Sequence, residues 1–366
     1  DDVQAQSQPA RFRVDPPHIT SAHVGLGVRP NESAEGEVAF IQRGASSSQI
    51  YSFTFLEVRP AIAEAKIDAP LQRFTAGANA TDIAVPWRKA PFFNEFLRWI
   101  VWREGRAIKA LSSASEKPVS LELPTELDSI VRPPLKTTDG PVEVLAVSHD
   151  RAHLLLAEFS GRMGEEGSAK LAWNIALPAH PLGITAALEA DSSQSYRHIA
   201  LIAEGSGGFE IFHARYRPGT TPQSFRSTHV AGRPLAGAQP ALYIEANGRA
   251  RVGIIAQPAG SAAVEIVEAV FEPDDSPAKV TIGPPSELPG APVSGALLYT
   301  DRPDVPVRLE GVIEAAGNKL LKLDPALKLI PAPPCTPMSG ILLAPGKQTT
   351  YTFCTGAERA LYISAL

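Results

Sequence analysis

The stretch RARVGIIAQPAGSAAVEIVEAVFEP, residues 249–273, holds two apolar runs that are separated by a glycine-containing turn. Just before it, ALYIEANG (241–248) alternates apolar and polar residues and ends in Asn-Gly, the strongest short signal of a β-hairpin. We therefore expect strands in ALYIEANG, over 249–257 and over 262–272, with AKVTI (278–282) as a fourth. The stretch predicts four antiparallel strands in about fifty residues.

The same order of strands and turns recurs along the chain. A glycine between the predicted second and third strands marks each copy, and these glycines are on average about 52 residues apart. A period near this length, with four short strands in each copy, is typical of the blade of a propeller. The marker glycines are Gly44, Gly105, Gly164, Gly207, Gly260, Gly317 and Gly356.

This repeat resembles that of the β-propeller superfamily, over nearly the whole chain. The resemblance implies an all-β fold, a single propeller of seven four-stranded blades. The last copy, 339–366, lacks a fourth strand, and we expect ARFRV (10–14) to supply it, so that no sheet edge stays open. The repeat signatures of WD40, kelch and sialidase propellers do not occur in the sequence, so the resemblance implies no activity.

The predicted division of the chain is a flexible segment, 1–9, followed by the propeller, 10–366. The alternative is a string of β-sandwich domains, which also shows short strands and frequent turn signals but has a longer period. The approximate blade limits are 18–71, 72–126, 127–182, 183–235, 236–289, 290–334, and 335–366 together with 10–16.

Composition favours an exported protein that does not bind nucleic acid. The formal net charge is -5 and 20% of the residues are charged, so the sequence shows no excess of basic residues of the kind that binds nucleic acid. No apolar run is long enough to span a membrane. The polar start, DDVQAQSQPA, is typical of a chain whose signal peptide has been removed, so we expect a periplasmic or extracellular location. Cys335 and Cys354 then predict one structural disulfide, and a metal or redox pair is the alternative.

The second copy carries an aromatic and basic strip. Exposed aromatic rings beside arginines form protein-binding hot spots or platforms that stack on sugars. The alternative is that the aromatic rings fill the core of one blade. The predicted binding residues are Trp87, Arg88, Trp99, Trp102 and Arg103.

The stretch PFFNEFLRWIVWREG (91–105) lies inside this strip and has two interpretations. Phe92, Phe93, Phe96 and Ile100 recur at helical spacing, which would make it the one helix of the chain. A strand that is buried on both faces explains the same apolar run, and we favour the strand.

Motifs for catalysis and for metals are missing from the sequence. It contains no Gly-x-Ser-x-Gly elbow and no phosphate-binding loop, and His149 and His153 lack a third ligand, so we read them as histidines on a turn. We predict no metal and no cofactor. Two acids that face each other could still hydrolyse a glycosidic bond. The candidate acids near inner strands are Asp82, Glu143, Glu189 and Glu245.

These observations favour a non-catalytic binding or assembly protein of an envelope or extracellular complex. The expected partner is a protein, with carbohydrate as the second ligand class. One alternative is a propeller hydrolase, a glycosidase or a lactonase, with carboxylates at the mouth of the channel; acids that are paired with arginines would argue against it. The other is a structural surface-layer component built from sandwiches.

Overall fold

The computed structural model describes most of the chain, and every regular element in the described residues is a β-strand. This confirms the predicted all-β class. Among the described residues no helix is long and apolar enough to cross a membrane. The described ranges are 11–14, 19–28, 35–59, 64–67, 71–89, 96–131, 140–161, 167–189, 195–237, 239–302, 305–316, 319–323, 327–330, 339–345, 350–355 and 361–365.

The described strands form seven antiparallel sheets, which we number along the chain. The first strand is β1 (Arg11–Val14). Sheet 1 consists of β2 (Ile19–Val28), β3 (Glu35–Arg43), β4 (Ser47–Arg59), β5 (Glu64–Ile67) and β6 (Leu71–Gly77). Sheet 2 consists of β7 (Ala80–Ala84), β8 (Trp87–Lys89), β9 (Phe96–Glu104), β10 (Ala107–Ser112) and β11 (Val119–Glu122). Sheet 3 consists of β12 (Leu127–Val131), β13 (Val142–Ser148), β14 (His153–Ser160) and β15 (Ser168–Ala176).

The remaining strands form four further sheets. Sheet 4 consists of β16 (Pro181–Leu188), β17 (Arg197–Gly205), β18 (Gly208–Tyr216) and β19 (Arg226–Ala231). Sheet 5 consists of β20 (Arg233–Pro234), β21 (Ala241–Ile244), β22 (Ala250–Gln257), β23 (Glu265–Phe271) and β24 (Lys279–Ile282). Sheet 6 consists of β25 (Pro292–Arg302), β26 (Val305–Ala315), β27 (Lys319–Leu323) and β28 (Leu327–Ile330). Sheet 7 consists of β29 (Ser339–Pro345), β30 (Thr350–Thr355), β31 (Leu361–Ala365) and, at its outer edge, β1.

The innermost strands of successive sheets contact one another around a closed ring. In order they are β2, β7, β12, β16, β21, β25 and β29, and β29 in turn contacts β2. Antiparallel sheets that radiate from such a ring are the arrangement of a β-propeller. The chain therefore has the fold that its repeat predicts.

The two ends of the chain meet in sheet 7. Strand β1 pairs antiparallel with β31, with Arg11 opposite Ser364 and Val14 opposite Leu361. This confirms the predicted closure by ARFRV, and it shows that the sandwich alternative is wrong, because separate domains would leave the two ends in different sheets. The predicted flexible segment, 1–9, lies outside the described residues.

The second strand of a sheet is buried on both faces, and β9 shows why its sequence is almost continuously apolar. Leu97, Trp99 and Val101 pack into the core that sheet 2 shares with sheet 3. Ile100 and Trp102 point the other way, into the core shared with sheet 1. Because side chains alternate along a strand, one apolar run serves two cores. The strand interpretation of this stretch is confirmed from the start of β9.

The opening stretch forms the strands that its pattern predicts, namely β21 to β24 of sheet 5. Its Asn-Gly turn ends at Gly248, which has a φ of 81°, and the next turn contains Gly260, which has a φ of 74°. Both angles lie in the left-handed region, which glycine enters without a steric cost. Among the marker glycines in the described residues, Gly105, Gly207 and Gly260 take a positive φ of this kind, so the backbone of their tight turns favours glycine.

The position predicted for Gly164, between the second and third strands of its copy, is wrong. β12 is the innermost strand of sheet 3, so β13 and β14 are its second and third strands. Gly164 therefore follows the third strand, not the second. The turn between β13 and β14 is made without glycine: Arg151 takes a φ of 55°, and the Asp150 carboxylate accepts a hydrogen bond from the Ala152 amide at 3.0 Å. An aspartate turn of this kind replaces the glycine signal.

Candidate functional site

The predicted aromatic strip is for the most part a core feature. Trp99 is 1% exposed and Trp102 is 0% exposed, so neither ring offers a surface to a partner. The indole of Trp102 donates a hydrogen bond to Glu104 Oε1 at 2.8 Å and packs beside Phe74. For these two tryptophans the structure supports the alternative, in which aromatic rings fill the spaces between sheets.

Arg103 fastens sheet 2 to sheet 3. Its Nε donates to Asp82 Oδ2 at 2.8 Å, and its Nη1 donates to the Leu127 carbonyl at 2.5 Å. Trp87 and Arg88 lie in β8, which pairs with β9, but their side chains are outside the described residues. A binding role for Trp87 and Arg88 therefore stays a prediction.

Glu143 is one of the four predicted acids, and it forms a buried ion pair with the neighbouring sheet. Its Oε2 lies 2.9 Å from Nε of Arg197, whose side chain is 3% exposed. Burial raises the pKa of the Glu143 carboxyl, and the hydrogen bond and charge of Arg197 oppose the rise. This carboxylate holds sheet 3 against sheet 4.

Sequence reasoning missed Glu158, which lies directly opposite Glu143 on β14 and whose side chain is slightly more buried, 9% exposed against 13%. Two neighbouring carboxylates could divide the work of an acid and a base. Here each binds its own cation, because Lys170 Nζ lies 2.8 Å from Glu158 Oε2. A single acid inside the apolar run of β14, HLLLAEFS, could have indicated a buried carboxylate, but sequence alone does not give the cross-strand register.

The other three predicted acids are also held by donors, and each lies in a different sheet. Asp82 binds Arg103, and burial raises its pKa against the opposing effect of that arginine. Glu245 Oε2 lies 3.4 Å from Nη1 of Arg249. Glu189 accepts a hydrogen bond from the amide of Tyr196 at 3.3 Å. These contacts do not support a catalytic carboxylate pair among the four predicted acids.

Metal-ligating groups do not converge in the part of the chain that the structure describes. His149 is exposed in the turn between β13 and β14, and His153 begins β14, as expected for histidines on a hairpin. Cys335 lies outside the described residues, and Cys354 lies in β30, where its side chain is not described. The predicted disulfide therefore stays a prediction.

A better candidate site lies on the face that carries the connections between sheets. In a four-stranded antiparallel sheet, the turn between strands two and three and the connection from strand four to the next sheet fall on the same face. Over sheets 4 to 6 the described part of this surface comprises the short turn between β17 and β18, beside the exposed Glu204, and four further segments. We call these four segments the connector face: 177–182, 233–240 without residue 238, 258–264 and 283–293.

The connector face is apolar and rich in proline. Among the described residues, four large hydrophobic side chains are exposed; Leu182 (41%) and Val293 (48%) lie on this face, and Ile282 (50%) ends the strand that leads into it. The fourth, Leu71 (57%), lies on sheet 1. The sequences of the four segments are LPAHPL, RPLAGAQP, PAGSAAV and GPPSELPGAPV, in which Arg and Glu each occur once.

The same face over sheets 1 to 3 is different, because it carries arginines that are bonded to carboxylates or to backbone carbonyls. Arg43 donates to the Ala80 carbonyl at 3.5 Å. Arg103 is fixed by contacts with sheet 3, and Arg151 Nε lies 3.1 Å from Asp128 Oδ2. The four segments of the connector face, with Arg233 and Glu287 as their only arginine and acid, therefore carry little charge, although Glu204 is exposed beside the neighbouring β17–β18 turn.

Comparisons with known proteins support the fold. No family model matches the chain, and no curated protein sequence does. BBS1N, solved in complex with ARL6DN, is 11% identical over 98% of this chain and 96% of that chain, with a TM-score of 0.57. The Nup133 β-propeller domain of Vanderwaltozyma polyspora is 8% identical over 100% and 99% of the two chains, with a TM-score of 0.54. An α-L-arabinanase of Penicillium chrysogenum is also similar, with 8% identity over 98% and 97% and a TM-score of 0.46.

Proposed function

We propose that this protein is an exported, non-catalytic propeller that binds another protein and serves as an accessory subunit or recognition module of an envelope or extracellular complex. The observation that carries the proposal is the connector face, where exposed Leu182 and Val293 lie in segments that hold almost no charge. The cores of protein interfaces are depleted of charged residues in the same way.

The composition of these segments also suits binding. Prolines occur in all four of them, and proline restricts the backbone before a partner arrives. A surface that is already ordered loses less conformational entropy on association. Contiguous exposed apolar surface on a monomer marks an interaction site more often than scattered apolar residues do.

The comparison with BBS1N supports a protein as the class of partner, because that chain was solved in complex with ARL6DN. The arginine and lysine contacts of the candidate acids weaken the hydrolase alternative. Carbohydrate remains the second ligand class to be tested.

The first test is a pull-down from the envelope and medium of the source, with the retained proteins identified by mass. Wild type is compared with Leu182→Asp/Val293→Asp, and Leu71→Asp serves as the control because Leu71 is also an exposed hydrophobic residue but lies on another sheet. A partner retained in stoichiometric amount by wild type and by the control, and lost by the double variant, is the expected result. A partner that all three proteins retain equally would refute the connector face as its site, and retention of glycans without protein would refute the proposed partner class.

A second arm tests the predicted contribution of β8. Trp87→Ala/Arg88→Ala is compared in the same pull-down with wild type. If these residues bind, retention of the partner falls, while the thermal midpoint of the protein changes little.

A further inference from the structure

Two buried histidines face each other between sheets 4 and 5, and nothing in the proposed function uses them. His198 on β17 is 1% exposed and His213 on β18 is 2% exposed. Nδ1 of His198 lies 3.0 Å from Nε2 of His213. The His213 ring also stacks on Phe271 of sheet 5, with ring centroids 5.0 Å apart.

The hydrogen bonds fix where the protons are. Arg226 Nη2 lies 3.4 Å from His213 Nδ1, and a guanidinium can only donate, so Nδ1 of His213 accepts. His213 must then carry its proton on Nε2 and donate it to Nδ1 of His198. His198 in turn carries its proton on Nε2, which is buried and has no hydrogen-bond partner among the described residues. Both acceptor nitrogens are therefore already occupied.

The groups around the pair are cationic. Arg215 from β18 and Arg226 from β19 act on both rings, while β16 places uncharged Ala187 opposite His198. Two acids beside sheet 5 pair with arginines: Asp275 lies 3.5 Å from Arg226, and Glu272 binds Arg249 at 3.0 Å. An added proton would have to break a hydrogen bond and would place a cation beside two arginines.

The same arginines tie the two sheets together. Arg215 Nη2 donates to the Pro273 carbonyl at 2.9 Å, and Arg226 Nη1 donates to the Glu272 carbonyl at 2.7 Å. These carbonyls belong to the segment that follows β23. The histidine pair therefore lies next to the contacts that join sheet 4 to the segment after β23, and we call this part of the boundary between sheets 4 and 5 the rim.

We propose that the His198–His213 pair is an acid-sensitive latch: it holds sheets 4 and 5 together at this rim while both rings are neutral, and it opens the rim when they take up protons. Burial and the neighbouring arginines lower the pKa of His198 to about 3 and that of His213 to about 2 in the closed state. In the opened state each ring is exposed to water, and its pKa has the ordinary histidine value of about 6.5. The stability of the closed rim is therefore complete above pH 6.5 and is lost as the pH falls toward these lowered values.

The size of the effect follows from this linkage. Between pH 7.5 and pH 5, each histidine raises the opening equilibrium by about 30-fold, and the pair raises it by about 1,000-fold. Hydrogen exchange measures this opening for amides of β18 and β23, after correction for the intrinsic pH dependence of exchange. Amides of β13 and β14 in sheet 3 provide the internal reference.

The variant His198→Leu/His213→Phe removes both titrating groups and keeps a ring to stack on Phe271. His149→Gln, which changes an exposed histidine, is the matched control. Between pH 7.5 and pH 5 the opening equilibrium at β18 and β23 should rise in wild type and in the control. It should not rise in the double variant. A rise below threefold in wild type, or an equal rise at β13 and β14, would overturn the proposal.

A second measurement needs no variant that could misfold. In wild-type protein labelled with ¹³C in its histidine rings, two ring signals should stay unchanged from pH 7.5 to pH 5 while the fold is intact. If all eight histidines of the chain shift in this range, the pair is not held neutral and the latch is refuted.

Discussion

Breaking the Glu143–Arg197 pair should destabilise the propeller more than removing the pair altogether. At 2.9 Å, with an effective dielectric constant of about 20, two unit charges attract by about 6 kcal/mol, and desolvation of both groups offsets much of this. Glu143→Met removes the carboxylate that neutralises the buried guanidinium, whose Nη1 also donates to the Ser195 carbonyl at 2.6 Å. Arg197→Met leaves Glu143 opposite another carboxylate, that of Glu158. Each single change should cost about 3–5 kcal/mol.

The double variant Glu143→Met/Arg197→Met leaves no uncompensated charge in the pair. Two apolar side chains of similar length take the space between the sheets, so we expect its stability to lie within about 2 kcal/mol of wild type. The coupling energy of the double-mutant cycle should then be about 3 kcal/mol or more. The assay is urea unfolding of the four proteins, followed by tryptophan fluorescence at one pH.

A matched cycle on Arg106 and Glu122 controls for charge removal without burial. Their nitrogen and oxygen lie 3.9 Å apart, and the side chains are 58% and 66% exposed. Exposed pairs of this kind couple by less than about 1 kcal/mol. If the coupling energy of Glu143 and Arg197 were no larger than that of Arg106 and Glu122, the inference that the Glu143–Arg197 pair fastens sheet 3 to sheet 4 would be refuted.

Three further predictions address the turns, the core and the disulfide. Gly260→Ala should lower the free energy of unfolding in urea by about 1 kcal/mol, because the φ is 74° but no atom lies near the added Cβ. Gly208→Ala should lower it clearly more, since its Cβ would lie 2.1 Å from a backbone oxygen. Trp102→Phe should cost about 2 kcal/mol, since it loses a buried indole hydrogen bond and leaves a gap, and equal stability to wild type would contradict this. A thiol count in denaturant should find no free thiol if Cys335 and Cys354 are bridged, while two free thiols would weaken both the bridge and the case for export.

The fold could be predicted because its signals are local and repeated. An Asn-Gly turn, a glycine at positive φ and a short apolar strand each have a physical cause within a few residues, and the repetition makes a single weak signal strong. The copy around Gly164 was misassigned because Asp150 and Arg151 form a turn without glycine, so the local signal was absent. Closure by β1 was predictable for a different reason: an open edge strand is unfavourable, and the last copy lacked one strand.

The binding residues could not be predicted in the same way, and β9 shows why. Trp99 and Trp102 are three residues apart, so they point to opposite faces of one strand. In most antiparallel sheets one of these faces would be wet, which makes exposed aromatic rings a reasonable expectation. In a propeller both faces of a second strand lie against neighbouring sheets, and both rings are buried. The burial of both rings follows from tertiary packing that the sequence of one blade does not contain.

The connector face illustrates the reverse case, in which the signal is visible only once the topology is known. Its four segments are separated in the sequence by two to four strands, so the low charge of each looks like ordinary turn composition. The fold brings them to one side of sheets 4 to 6, with Leu182 and Val293 exposed among them. Such a surface lowers solubility, and the core does not require it, since connections add little to the packing between sheets. Arg43, Arg103 and Arg151 on the same side of sheets 1 to 3 show that the propeller accommodates charge there. The fold therefore does not require the low charge of the four segments, which is why we propose a partner for them.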